Sequence, residues 1–324
     1  MPSPISLLRP SPIPLHAVRQ LDAGRMRARG DAGFVRVRTG VYADRRLWQS
    51  LAPWERYLAR VHAVAARRPG TIFAFESAAA LLGLPIFGEP RDIHTYDPDR
   101  TRSRRFGDVV VHTSEDPKMI RSGVISVTSV ADTALDLLRV LTPAFALALA
   151  DAAIAPSLAD ATSRAHLRAL AETRANPRRR AQVLWAVDRA DPQAESPAES
   201  ISRAVIEWTG FEAPELQRWF SSEGFDDRVD FFFPRARVIG ESDGYDKYAA
   251  EESRDAVRGI VAEKQREDRL RRQCDGFARW DRADALAVTP LRRKLHAAGL
   301  RAERPEQTVM LATLRARRPD GRHP

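Results

Sequence analysis

The chain has 324 residues, enough for two domains of ordinary size, and 44% of them are apolar, which supports packed cores. No long uncharged apolar run offers a membrane-spanning helix, the Pro-rich start carries only Arg9 as charge without an apolar core, and the single Cys274 can form no internal disulfide. These features exclude a disulfide scaffold and lead to the expectation of a cytoplasmic protein with no membrane partner.

The net charge of +9 favours either a polyanionic partner or a solvated Arg-rich surface. Its distribution is uneven. Residues 1–150 hold 21 Lys and Arg against 14 Asp and Glu, whereas residues 196–289 hold 15 against 20. A basic half ahead of an acidic one suits a nucleic-acid grip attached to a metal site.

In chain order, residues 1–15 are Pro- and Ser-rich without periodicity. Ala17 to Arg29 has helical composition and a basic face, broken at Gly30, Asp31 and Gly33. Phe34 to Tyr42 then alternates apolar and basic residues around Gly40. A helix followed by a basic hairpin is the outline of a small winged helix, with Arg25, Arg27 and Arg29 facing phosphates from the helix and Arg36 and Arg38 from the wing. Solvated arginines on an ordinary helix and hairpin are the commoner meaning of such residues alone.

Apolar spacing predicts a helix from Trp54 to Arg68, stopped by Pro69-Gly70, and a second from Ser77 to Leu82. His94 to Tyr96 and Val109 to His112 read as strands around a charged turn, Asp97 to Arg105, with both histidines expected to be structural. Ile125 to Leu138 is a strand running into an N-capped helix. On that helix Asp132 and Asp136, one turn apart, read as surface acids, with a shared ion as the alternative. Ala- and Leu-rich helices follow at Phe145 to Ile154, Arg164 to Ala171 and Ala181 to Arg189. The stretch Asp191-Pro192-Gln193-Ala194-Glu195-Ser196-Pro197 has linker composition and places a domain boundary near residue 192.

The second domain, residues 193–288, opens with a helix from Ala198 to Thr209 that carries Glu199 in its first turn. Strands are predicted at Leu216 to Phe220, Val229 to Phe233 and Val238 to Glu241, with a polar turn at Ser221 to Asp227. A long helix from about Asp255 to Gln273 and a last strand from Gly276 to Trp280 complete an αβββαβ order. Acids stand at unusual places in this pattern. Asp230 sits inside an apolar run and Glu241 ends another, where each carboxylate costs desolvation unless a cation meets it. After Leu286 a basic helix is expected from Leu291 to Leu300, followed by clustered arginines from Arg301 to Pro324, and residues 289–324 as a whole read as a basic, flexible tail.

Two resemblances rest on motifs in this order. Glu199, Asp230, Glu241-Ser242-Asp243-Gly244-Tyr245-Asp246-Lys247-Tyr248 and Glu263-Lys264-Gln265-Arg266-Glu267-Asp268 resemble the very-short-patch-repair-like branch of the PD-(D/E)XK nuclease superfamily. Arg38-Thr39-Gly40-Val41-Tyr42 and Ser77-Ala78-Ala79-Ala80-Leu81-Leu82-Gly83-Leu84-Pro85 resemble the N-terminal region of AbiEi-type antitoxins of type IV toxin-antitoxin systems. The second resemblance covers residues 1–192. In it the winged helix is abbreviated, with room for about one helix where a full one uses two or three. Together the resemblances imply an α/β protein: a small winged-helix-like start, an α/β middle region, and a restriction-endonuclease-like core.

The nuclease resemblance implies Mg²⁺-dependent phosphodiester hydrolysis, with Mn²⁺ as a substitute, at a metal held by Asp230 and Glu241. Glu199 is then an outer ligand or a stabiliser of the base. A lysine usually stands at the position of Asp243, so Lys247 or Lys264 would supply the ammonium and Arg266 would clamp phosphate. No histidine occurs between His166 and His296, which excludes His-based variants of this chemistry in the domain. DNA is the expected substrate, RNA is not excluded, and a homodimer is open because many nucleases of this fold cut duplexes as dimers. The antitoxin resemblance implies instead a transcriptional regulator with a silent nuclease-type domain and a nucleotidyltransferase-type toxin as partner. A protein with no nucleic-acid role is the third alternative.

Overall fold

The structure, a computed structural model, describes residues 8–17, 33–243 and 254–315, with the backbone alone at 254–261. Residues 18–29 of the expected basic helix, including Arg25, Arg27 and Arg29, lie outside the described residues, as does Lys247. The described residues form a mixed α/β fold with three sheets, in two compact units. One unit combines the described residues up to Leu141 with Pro156–Asp188, and the other combines Thr142–Ala155 with the described residues from Arg189 on.

The first unit starts with β1 (His16–Ala17), β2 (Phe34–Arg38) and β3 (Val41–Asp44), in the order β1-β3-β2. Asp44 caps α1 (Arg45–Ser50) by accepting from the amides of Arg46 and Leu47, and α2 (Pro53–Arg67) follows. Ile13, Ala43, Leu51 and Ala59 close a small core here. The expected hairpin is therefore present.

Next come β4 (Ile72–Phe73), α3 (Phe75–Leu82), β5 (Ile93–Tyr96), β6 (Arg104–Phe106), β7 (Val109–His112), β8 (Ile120–Arg121), β9 (Ser126–Thr128) and α4 (Val130–Leu138). After α5 (Pro143–Ile154), which belongs to the other unit, α6 (Arg164–Thr173) and α7 (Arg180–Asp188) complete this one. The six strands run β6-β7-β5-β4-β9-β8, with β5/β7 and β4/β9 parallel. β6 falls inside the stretch expected to be a charged turn; its pattern of Arg104, Arg105 and Phe106 gives no alternation because all three residues are exposed. Asp132 and Asp136 are not surface acids. Asp132 is 2% exposed and bonded to the Arg174 guanidinium, while Asp136 holds Lys118 at 2.6 Å. Each has its own cation, so they share no ion.

The second unit joins α5 to α8 (Pro197–Trp208), β10 (Glu215–Ser222), β11 (Phe225–Phe233), β12 (Val238–Asp243), α9 (Arg254–Arg271) and β13 (Gly276–Asp281). The sheet order is β10-β11-β12-β13, antiparallel except for the last pair, so α9 is the crossover between parallel β12 and β13. The polar turn is far shorter than expected. Ser222 pairs with Phe225, leaving only Glu223 and Gly224, both at positive φ, as the two-residue turn of a hairpin.

On one face of this sheet Trp280 donates its indole N–H to Ser202 Oγ of α8 at 2.9 Å and packs against Phe231. Gly240 makes that packing possible, since a Cβ there would lie 2.5 Å from the Trp280 ring. On the other face Leu270 of α9 covers Val229, Phe232 and Ile239.

The expected tail departs most from the structure. Residues 282–312 contain α10 (Arg282–Ala287), α11 (Thr289–Ala297) and α12 (Thr308–Ala312). Leu291, Leu295 and Leu300 are buried. The Glu303 amide donates to Gly210 O at 2.8 Å and the Gln307 amide to Trp208 O at 2.7 Å, which occupies carbonyls at the C-terminal end of α8. The helix expected at Leu291 to Leu300 is thus present as α11, whereas the docking of residues 303–307 departs from the expectation of a flexible tail.

Candidate active site

The apolar runs of β11 and β12 fix where their acids stand. Phe231 pairs with Gly240, so the next position brings Asp230 opposite Glu241. The Ser242 amide donates to Asp230 Oδ2 at 2.8 Å, tying the two strand ends together. On the other side, the β10/β11 ladder pairs Leu216 with Phe231 and Arg218 with Val229 but omits Gln217 and Asp230. Gln217 has φ +52°, so the sheet is irregular just where the acid emerges, a common arrangement beside functional sites.

Glu199 enters from α8. Ser196 caps this helix by accepting from the Glu199 amide, and Glu199 Oε2 in turn accepts from the Glu195 amide at 3.0 Å and from Gln217 Nε2 at 3.0 Å. Glu199 thus secures the helix start and reaches the strand position opposite Asp230. Burial pushes its carboxyl above the usual range, and the Asp230 charge adds to the shift. Glu241 is affected more strongly. Burial first, then the neighbouring Asp230 charge, pushes it up to about 7 against the opposing pull of Arg266. Asp230 therefore stands close enough to act on both glutamates.

Cations line the other side of Glu241. Arg266 of α9 donates to Glu241 Oε1 at 2.9 Å and to Arg228 O at 2.6 Å, and lies 3.3 Å from Glu263. Arg279 of β13, the register partner of Glu241, lies 3.3 Å from Asp243 and bonds Glu263 at 2.6 Å. Arg269 forks onto buried Asp227 at 2.8 and 2.9 Å. Glu199, Asp230, Glu241, Asp243 and Arg266 are thus brought into one neighbourhood. Lys264 is exposed on α9 and does not join it.

Two participants were missed in the sequence. Gln217 has no motif of its own, and only the strand pairing places it against Asp230. Arg279 follows from the alternation Phe277, Arg279, Asp281 only once β13 is known to run parallel to β12.

No family model, curated protein or solved structure matches this chain. The chemistry must be argued from the site itself. Its donors are carboxylate oxygens, the set that suits a hard divalent cation such as Mg²⁺ or Mn²⁺. Among the described residues no three His, Cys, Asp or Glu side chains close on one metal position. Asp230 and Glu241 offer a two-carboxylate site, the number with which Mg²⁺ is commonly held when waters and phosphate oxygens complete its shell.

The arginines expected to grip nucleic acid from the first unit differ from one another. Arg36 is exposed on β2. Arg38 instead forks onto Asp108 at 2.9 and 3.0 Å, a carboxylate it shares with Arg60 at 3.2 Å. Its charge is already matched within the unit.

Proposed function

We propose that the chain is a nucleic-acid-binding protein whose second unit is a Mg²⁺-dependent, PD-(D/E)XK-type endonuclease acting on DNA phosphodiesters. The carrying observation is the crowding of Glu199, Asp230 and Glu241, with Glu241 pushed up to about 7 by burial and by Asp230. Carboxylates held together at such cost are a recurrent mark of a site for a cation. Asp230 and Glu241 would hold Mg²⁺, which when bound supplies charge neutralisation at the phosphate and a lowered pKa for a coordinated water. Glu199 and Gln217 hold the helix start and the irregular strand in register around Asp230. Arg266 and Arg279 keep the acids from repelling one another and offer guanidiniums at the same edge for phosphate oxygens.

Cleavage of plasmid DNA in Mg²⁺ tests this reading, with Asp230→Ala and Glu241→Ala expected to fall to background. Unchanged cleavage in both variants would remove it.

A second reading is a type IV antitoxin-like regulator with a silent nuclease fold, partnered by a nucleotidyltransferase-type toxin. One observation favours it: Asp243, where the superfamily carries lysine, lies 3.3 Å from Arg279, while Glu241 is paired with Arg266. That version of the protein binds its own promoter at a defined sequence with no metal requirement, and footprinting with and without EDTA distinguishes the two.

A further inference from the structure

The first unit contains a cleft of about 1320 Å³, bordered by α3, β5, β7 and the segment between α6 and α7. Two buried histidines line it. His94 Nδ1 and His112 Nε2 lie 2.8 Å apart, and Glu76 lies 3.7 Å from the other nitrogen of His94. A bond between two imidazoles requires one nitrogen to donate and the other to accept. If His94 donates through Nδ1, neutral His112 accepts at Nε2 and holds its own proton on Nδ1, so the pair keeps an N–H donor without any added charge.

Backbone strain marks the same place. Phe75, whose ring lies 4.3 Å from that of His112, has φ +50°. That conformation is costly for a bulky residue and is retained where surrounding structure enforces it, often at ligand sites.

The lining carries both charges: Glu76, Glu89, Glu115, Asp116 and Asp136 stand on it, and Asp136 is already paired with Lys118. Arg139, Arg178 and Arg179 line it too, and among the described residues none of the three meets a carboxylate at ion-pair distance. Arg139 donates to Asn176 O at 3.0 Å, while its buried Nε has no partner among the described residues. Burial pushes the Arg139 guanidinium down; the charges of Asp136 and Asp116 oppose this and those of Arg174 and Arg180 add to it.

We propose that this cleft binds a phosphate-bearing ligand, with Arg139, Arg178 and Arg179 on the phosphate and the His94–His112 pair as a further donor. A phosphate monoester carries about two negative charges at neutral pH and three acceptor oxygens, which matches three guanidiniums on one lining more fully than the single charge of a carboxylate. The site is separate from the carboxylate cluster and does not rest on the nuclease reading.

Calorimetric titration of AMP, inorganic phosphate and adenosine into the full chain tests it. AMP and phosphate should both bind and adenosine should not. AMP much tighter than phosphate makes the source a nucleotide, and equal affinity makes it free phosphate. His112→Gln, which removes the buried partner of His94, and Arg178→Gln, at an exposed position, should each weaken binding by about tenfold or more, the latter with an unchanged thermal midpoint. Arg139→Gln should do the same, and Arg178→Gln keeps the test valid if that variant unfolds. No binding of AMP or phosphate, adenosine binding as tightly as AMP, or full affinity in Arg178→Gln and His112→Gln would overturn the proposal.

Discussion

Both units bury acids in one-to-one ion pairs, and one cluster in the second unit departs from that rule. In the first unit Asp132 and Asp136 each have their own cation, Arg174 and Lys118. In the second, Glu199, Asp230 and Glu241 lie near one another, and the glutamates are pushed up by burial and by Asp230. One-to-one pairing describes a structural element whose charges are settled within the fold. Crowding of like charges raises both glutamates although Arg266 pairs with Glu241, and that perturbation is what makes the second arrangement a candidate for chemistry.

The comparison breaks most visibly where a pair loses one member. Arg174→Ala leaves buried Asp132 uncompensated and should cost about 3–5 kcal/mol, read from denaturant unfolding of the full chain. A cost below about 1 kcal/mol would place that pair with surface ion pairs instead.

Replacing Glu241 should act in the opposite direction. Burial and the Asp230 charge raise its carboxyl from an ordinary 4.5 to about 7 when folded, so between those values the folded protein holds more proton than the unfolded chain. Its contribution to stability is therefore fully present below about pH 4.5 and falls as pH rises towards 7. Glu241→Gln removes that loss and should stabilise the protein by about 1–3 kcal/mol at pH 8, with the gain fading towards pH 5. Destabilisation at pH 8 would show that Arg266 already offsets the crowding.

Gly240→Ala tests the frame that supports the cluster. A methyl group would meet the buried Trp280 ring, and overpacking of this kind costs about 1–3 kcal/mol. Full stability in this variant would mean that the ring can move aside. The smallest effect is expected at Arg38→Gln. Its partner Asp108 is partly exposed and keeps Arg60, so the loss should stay within about 1 kcal/mol.

Much of this architecture was legible. The helices at α2, α8 and α9 follow apolar spacing and clear stop signals such as Pro69-Gly70 and Gly210, and the αβββαβ element order follows from them and the strands between. The site was legible in part, because Asp230 and Glu241 interrupt apolar runs and such interruptions carry a desolvation cost. Other features depend on tertiary pairing. Arg279 and Gln217 become visible only through strand register, and α5 is apolar except for Asp151, whose partner Arg203 on α8 is known only from the structure. At the C-terminus the helix expected at Leu291 to Leu300 was legible, but the amide bonds that dock residues 303–307 onto the end of α8 depend on tertiary pairing.

The most direct test of the account is calorimetric titration of Mg²⁺ and Mn²⁺ into the protein and into Asp230→Ala, repeated between pH 6 and pH 8. The account predicts binding that disappears in the variant and that tightens with pH up to about 7, where Glu241 gives up its proton. Binding of equal strength in Asp230→Ala, or none by the native chain at pH 8, would contradict it.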